Sequence, residues 1–170
     1  MPANYLVCRT DGHCVLIPSE SVLGVRELPL SSMPPVVPDW VDGVGIVENA
    51  AVIAVHPRRQ SRKASVVSEE RDAHAGQDTE TKVVVLHPHP DQVGLVGVVV
   101  SEVVALESLD VRVATQASTD RAWLRDFELV DAAGDRVQAA SVGADGAASR
   151  TGSVVDSKAL ATLLSNRKAA

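Results

Sequence analysis

The sequence predicts an all-β fold, mainly strands with a few short helices, and three observations lead there. Valine fills 30 of the 170 positions, and its branched Cβ favours a pleated strand over a helix. Short apolar runs recur with turn residues between them at close intervals, the pattern of a barrel or a sandwich. The length of 170 residues is enough for one domain, or for two small ones sharing a core, without disulfide or metal support.

The elements follow in order. Tyr5 to Arg9 and Cys14 to Ile17 are β-forming runs around Asp11-Gly12, so they read as a hairpin. Pro18 and Ser19 to Ser21 offer a helix start of one or two turns, ended by Gly24 and then Pro29. Val25 to Leu30 reads as a third strand. Pro34, Pro35 and Pro38 make residues 31–38 an extended connector, because proline has no N–H for a central ladder. Val44 to Val47 and Ala51 to Val55 read as two more strands, with Glu48-Asn49 at the turn between them.

Residues 57–81 differ in kind. They are basic first (Arg58, Arg59, Arg62, Lys63) and acidic later (Glu69, Glu70, Asp72, Asp78, Glu80), and a polar stretch of this length reads as a mobile loop. Val83 to Leu86 is apolar again, and His87-Pro88-His89-Pro90-Asp91 is a turn. Val93 to Val104 reads as one bent strand or two, with Gly94 and Gly97 allowing curvature. Leu106 to Val113 alternates weakly. Residues 114–126 are polar, anchored by Trp123 and Leu124. Phe127 to Val130 and Arg136 to Ala140 read as a hairpin. Val142 to Gly152 is small and polar. The ending has two readings. Either residues 124–142 are the closing hairpin, or Val154 to Leu164 is the true ending and residues 143–152 are an insertion. The second fits better, because Val154-Val155-Asp156 precedes leucines 160, 163 and 164 at helical spacing, with Ser157 placed to cap them.

Charge and composition narrow the function. The net charge is −6 and only four residues are aromatic, which counts against a nucleic-acid binder with a basic footprint and stacking rings. Cys8 and Cys14 flank the first turn; a disulfide is geometrically open, but two reduced cysteines packed as small core residues is the better reading. The start lacks a basic region and a long apolar run, and no stretch approaches the ~20 apolar residues of a spanning helix, so a cytoplasmic protein is expected.

His56, His87 and His89 suggest a metal site, yet no Cys-x-x-Cys or His-Glu-x-x-His pattern accompanies them and the alternating prolines favour a plain turn. No Gly-x-Ser-x-Gly elbow marks a hydrolase. Gly94 and Gly97 lack the third glycine and the βαβ setting of a dinucleotide site. The Arg58 to Lys63 cluster suits an acidic lipid or partner, and Ser65 a phosphorylation, but a solvated loop is the better reading. No catalytic residue, cofactor or metal is expected.

Four stretches carry a family likeness: YLVCRTDGHCVLIPSESVLGVRE, PDWVDGVGIVENAAVIAVHPR, TKVVVLHPHPDQVGLVGVVVSEVVAL and VVDSKALATLL. In their order the chain resembles the CheW-like family, the coupling proteins of bacterial chemosensory arrays. The likeness runs without a gap from Tyr5 to Arg58, is good over residues 83–109 and poor over residues 110–153. It implies a single domain over residues 1–170, made of two small SH3-like β-barrel subdomains packed on a shared core. Subdomain one would span about 14–82 and subdomain two about 83–156, with the N-terminal strand possibly shared between them. Residues 57–81 are the polar loop, 143–152 the insertion and 157–165 the closing helix. It also implies a non-catalytic adaptor that docks on the regulatory domain of a chemotaxis histidine kinase and on the cytoplasmic tip of a chemoreceptor. The free length looks like the stand-alone coupling protein.

The departures are local. The family's Val-x-Glu-Val stretch aligns with Val22-Leu23-Gly24-Val25, so Gly24 stands where an acidic residue is common. At the turn before the fifth strand, Asn-Leu-Arg-Gly becomes Ile46-Val47-Glu48-Asn49. Glu48 thus replaces an arginine, reversing a charge and removing a planar fork of donors. His56 replaces an aspartate at the next strand end. The expected partner-binding residues are Val22, Gly24, Val25, Glu48, Asn49 and Val52. The alternatives are a decoy or inhibitor that binds the kinase but not the receptor, and a small β-barrel hydrolase.

Overall fold

The computed structural model describes residues 2–32, 37–57, 80–90, 92, 94–118, 121–131, 133–135 and 151–165. Eleven strands and one α-helix form over them: β1 (Ala3–Thr10), β2 (His13–Pro18), β3 (Val22–Leu28), β4 (Val41–Val47), β5 (Ala50–Val55), β6 (Thr81–Leu86), β7 (Leu95–Val99), β8 (Glu102–Leu109), β9 (Val111–Ser118), β10 (Arg121–Leu129), β11 (Thr151–Val155) and α1 (Ser157–Ser165). A single 3-10 turn at Ser19–Ser21 is what remains of the first expected helix.

The strands divide between two sheets. One has six strands in the order β8-β1-β2-β11-β10-β9, the other five in the order β3-β6-β7-β5-β4. Both curl. Ser31, three residues past β3, exchanges two backbone hydrogen bonds with Val44 of β4 (2.9 and 3.1 Å), so the two outer strands of the five-stranded sheet meet. In the six-stranded sheet β8 and β9 are the outer strands, yet Asp110 alone joins them. Leu109 and Val111 therefore lie at most about 7 Å apart, whereas a flat six-stranded sheet would separate its edges by about 24 Å.

Three apolar clusters result. Leu28, Val52, Ala54, Val83, Val85 and Val99 fill the inside of the five-stranded curl. Tyr5, Val7, Cys14, Leu16, Phe127 and Val154 fill the inside of the six-stranded curl. The largest cluster lies where the sheets face each other; Val15, Ile17, Val84, Leu86, Val98, Trp123, Val155 and Leu160 belong to it. Alternate residues of one strand thus enter different clusters, Val83 and Val85 the inner one and Val84 and Leu86 the shared one. Strands buried on both faces read as continuous valine runs rather than as alternation. That is why valine dominates the composition.

Two of the three expected hairpin turns fall wholly among the described residues, and both form with two-residue loops. Asp11 and Gly12 have φ of 50° and 77°, and Glu48 and Asn49 have φ of 47° and 69°. Such turns match the twist of the strands that they join.

Several expectations need correction. The strands do not divide at residues 82/83. β6 and β7 belong to one sheet, while β1 and β2 join β8 to β11 in the other, because the chain crosses between sheets at residues 19–21 and 100–101. Of the two readings of the 93–104 run, the two-strand one forms, with β7 and β8 in different sheets. Thr151 and Gly152 belong to β11 rather than to an insertion, and β11 lies inside its sheet, parallel to β2 and antiparallel to β10. The strand and helix that the second reading of the ending expects over Val154 to Leu164 form as β11 and α1. The α1 cap is Asp156, whose Oδ1 accepts from the Ala159 N–H at 2.9 Å; Ser157 instead bonds Ser21 of the 3-10 turn at 3.2 Å. Most of the polar loop (58–79), the strand expected at 136–140 and the insertion up to residue 150 lie outside the described residues. Cys8 and Cys14 are not joined by a disulfide. Cys8 pairs with Val15 and Cys14 with Arg9, so the two thiols enter different clusters.

Candidate partner-docking surface

The registers gather the expected site residues at one end of the five-stranded sheet. Val22 of β3 pairs with Leu86 at the end of β6, Val85 pairs with Gly97, and Leu95 at the start of β7 pairs with Val52. The β4–β5 turn lies at this same end. The antiparallel Ser31–Val44 bridge sets β3 beside β4, so Glu48 and Asn49 share an end with Val22 and Gly24.

The six residues differ in what they present. Glu48 and Asn49 are exposed at the turn, and Val25 is 36% exposed. Val22 is half-buried and packs against the shared cluster. Gly24 leaves room for Arg26, since a Cβ there would stand 2.9 Å from Arg26 Nη1. Val52 is a correction: with no exposed surface, it belongs to the inner cluster and cannot touch a partner. Its neighbour Ala51 is the exposed one, because strand side chains alternate between faces.

Sequence reasoning missed the most exposed apolar side chains. Ile46 is 70% exposed and Leu23 48%, each on a strand bordering the Glu48 end. Leu106, 65% exposed, lies on β8 in the other sheet. Alternation from Glu48 back to Ile46 was the available signal. It was weakened by Gly43 and Gly45, which face Leu28 and Leu30 and leave Val47 to continue their inner side of β4. Glu27, also exposed, follows Val25 by two positions and meets Lys82 only at 4.0 Å.

A cleft of about 390 Å³ opens between the 3-10 turn, the loop after β6 and the start of α1. Leu86, Val96 and Leu160 line it, with His87, His89 and Lys158 among its polar residues. His56 is not there. It sits at the end of β5, where its Nε2 lies 3.8 Å from Asp11 Oδ2 in the other sheet. Among the described residues no group of three or more His, Cys, Asp or Glu side chains is placed to hold a metal ion. His13 Nε2 and Ser153 Oγ are 3.0 Å apart, away from the cleft, and Ser153 is 6% exposed. No helix among the described residues is long and apolar enough to cross a membrane.

Polar contacts tie the two sheets. Arg121, 9% exposed at the start of β10, reaches Asp39 ahead of β4 at 3.7 Å. Thr10 Oγ1 donates to the Val99 carbonyl at 3.3 Å, and the Ser101 N–H donates to the Arg9 carbonyl at 2.8 Å. Burial, with a smaller contribution from Cys14, pushes the Cys8 thiol up to about 12.

No protein-family model matches the sequence, and no curated protein matches it. Among solved structures the chain is similar to the scaffolding protein TtCheW from Thermoanaerobacter tengcongensis, at 11% identity and a TM-score of 0.45. The match covers 65% of this chain and 64% of that one, so over a third of each is unmatched.

Proposed function

We propose that this chain is a non-catalytic adaptor that joins a chemotaxis-type histidine kinase to chemoreceptors in the cytoplasm. The family likeness over Tyr5 to Arg58 and residues 83–109 supports that reading. The observation that carries it is the Glu48 end of the five-stranded sheet, where Ile46, Leu23 and Val25 expose apolar surface beside Glu27, Glu48 and Asn49. Exposed apolar side chains set among charged ones suit a protein contact. In such a contact the apolar side chains supply buried area, and the charges select the partner. The kinase regulatory domain and the receptor tip are the two partners.

Separate pull-downs test this. The full chain is offered the kinase regulatory domains of its source cell, and then the receptor tips. Capture of both is expected. Capture of neither overturns the reading. Capture of the kinase alone favours the decoy, a second reading that Glu48 supports, since a carboxylate where the family carries a guanidinium repels a partner that presents a carboxylate.

A further inference from the structure

β3 is an open edge. It pairs with β6 from Val22 to Leu28, and among the described residues no strand pairs with its other side over that span. The bridge to β4 comes only at Ser31. An unpaired strand edge presents a row of N–H and C=O groups that can template another strand. Leu23, at the β3 bulge, and Val25 are exposed along this edge, and Glu27 continues the alternation from Val25. Arg26 folds back over Gly24, and its Nη1 donates to the Val25 carbonyl at 3.0 Å, an exposed bond that an incoming backbone N–H has to displace.

We propose that β3 takes an extended segment of a partner protein as an added strand, apolar beside Leu23 and Val25 and basic beside Glu27. The chemistry follows from the edge. Backbone pairing supplies affinity in strand addition and alternate side chains supply specificity. Cross-strand neighbours favour apolar next to apolar and opposite charges next to each other. The 4.0 Å contact of Glu27 with Lys82 is an exposed pair of little strength, so a closer cation displaces it. Glu48, at the same end of the sheet, adds a second carboxylate. The inference deepens the adaptor reading and rests on it for a protein partner.

The test uses the full chain, isotope-labelled, and the peptide acetyl-Lys-Thr-Val-Thr-Val-Thr-Lys-amide. The expected result is a set of amide shifts concentrated on residues 22–27. Binding should fall about tenfold or more when the peptide is N-methylated at alternate positions or carries Glu for Lys, since either change removes backbone hydrogen bonds or charge pairing. The variant Leu23→Lys/Val25→Lys, its fold checked by its amide spectrum, should lose binding likewise. Shifts elsewhere, or equal binding of the N-methylated peptide, overturn strand addition. A concentration-dependent dimer through β3 without peptide also overturns it, by making a second copy the occupant. Kinase capture distinguishes the two readings: capture retained without peptide binding sinks strand addition alone, and peptide binding without capture sinks the adaptor alone.

Discussion

Trp40 and Trp123 lie with ring centroids 6.0 Å apart, tilted by 55°. Trp40 precedes β4 in the five-stranded sheet, and Trp123 belongs to β10 in the six-stranded one. Two of the chain's four aromatic rings therefore meet across the junction, where the Arg121–Asp39 pair also crosses. Trp123 has no exposed surface, and its indole N–H has no hydrogen-bond partner among the described residues. Trp123→Ala should cost about 3–5 kcal/mol in a urea melt. Trp123→Phe should cost clearly less, because it keeps most of the packing and removes a buried donor that costs about 1–3 kcal/mol unpaired. If the two variants melt alike, the ring is not the junction's anchor.

Gly97 and Gly152 should respond differently to the same added methyl. A Cβ at Gly97 runs into the Val83 side chain, and one at Gly152 runs into the Cys14 backbone carbonyl. Gly97→Ala is expected to lose about 1–3 kcal/mol through overpacking. Val83→Ala should return part of that loss in the double variant, through the coupling of neighbouring sites. A Cβ at Gly152 also meets the Phe127 ring at 2.9 Å, but trimming that ring leaves the carbonyl in place, so substitutions around Gly152 should not restore Gly152→Ala. Additive losses for Gly97→Ala and Val83→Ala would disprove the contact.

Glu48→Arg isolates charge from fold. The residue is exposed at φ 47°, and neither side chain prefers that backbone over the other. Stability should move by less than about 0.5 kcal/mol, as for other surface changes. Capture of a receptor tip of the common type should rise. A pull-down without gain at unchanged stability rules out charge reversal as the cause of altered partner choice.

The alkaline limb of stability carries a signature of Cys8. Its thiol is raised from 9.0 to about 12, first by burial and then by Cys14. The folded state holds this proton where the unfolded state has released it, so the Cys8 contribution is constant below about pH 9 and is lost as pH rises from there toward about 12. Tyr5, raised by burial and by Glu20, acts in the same direction. Cys8→Ala should flatten the decline without abolishing it. In the native protein a thiol reagent at pH 8 should leave Cys8 unmodified until denaturant is added. Rapid labelling without denaturant would contradict its burial.

Local chemistry explains which parts were readable. Asp11-Gly12 and the Val154-Val155-Asp156 strand leading into a leucine-spaced helix announce themselves within a few residues, since turn dihedrals and helical spacing are properties of neighbours. The valine runs at 83–86 and 95–99 announced burial, and their β-branching announced strands. The same runs hid the faces, because a strand buried on both sides has no polar phase from which to tell inside from outside. Val52 is buried and Ile46 exposed, and the residues on either side of them carry no polar phase that separates the two. Asp156 was missed as the cap because Ser157 is an equally good cap by type, and only the bond to Ala159 distinguishes them.

By itself the sequence determined that this protein is built of strands, where most of them lie, and the tight turns at Asp11-Gly12 and Glu48-Asn49. Those are consequences of side-chain branching and of short-range dihedral preference. Only the tertiary structure decided which sheet each strand joins, that β6 and β7 pair while β8 crosses over, and that among the described residues β3 pairs along one side only. Pairing between distant strands depends on which of many similar valine surfaces come to face each other. One valine run carries no label for its partner, so that choice belongs to the packing of the whole chain.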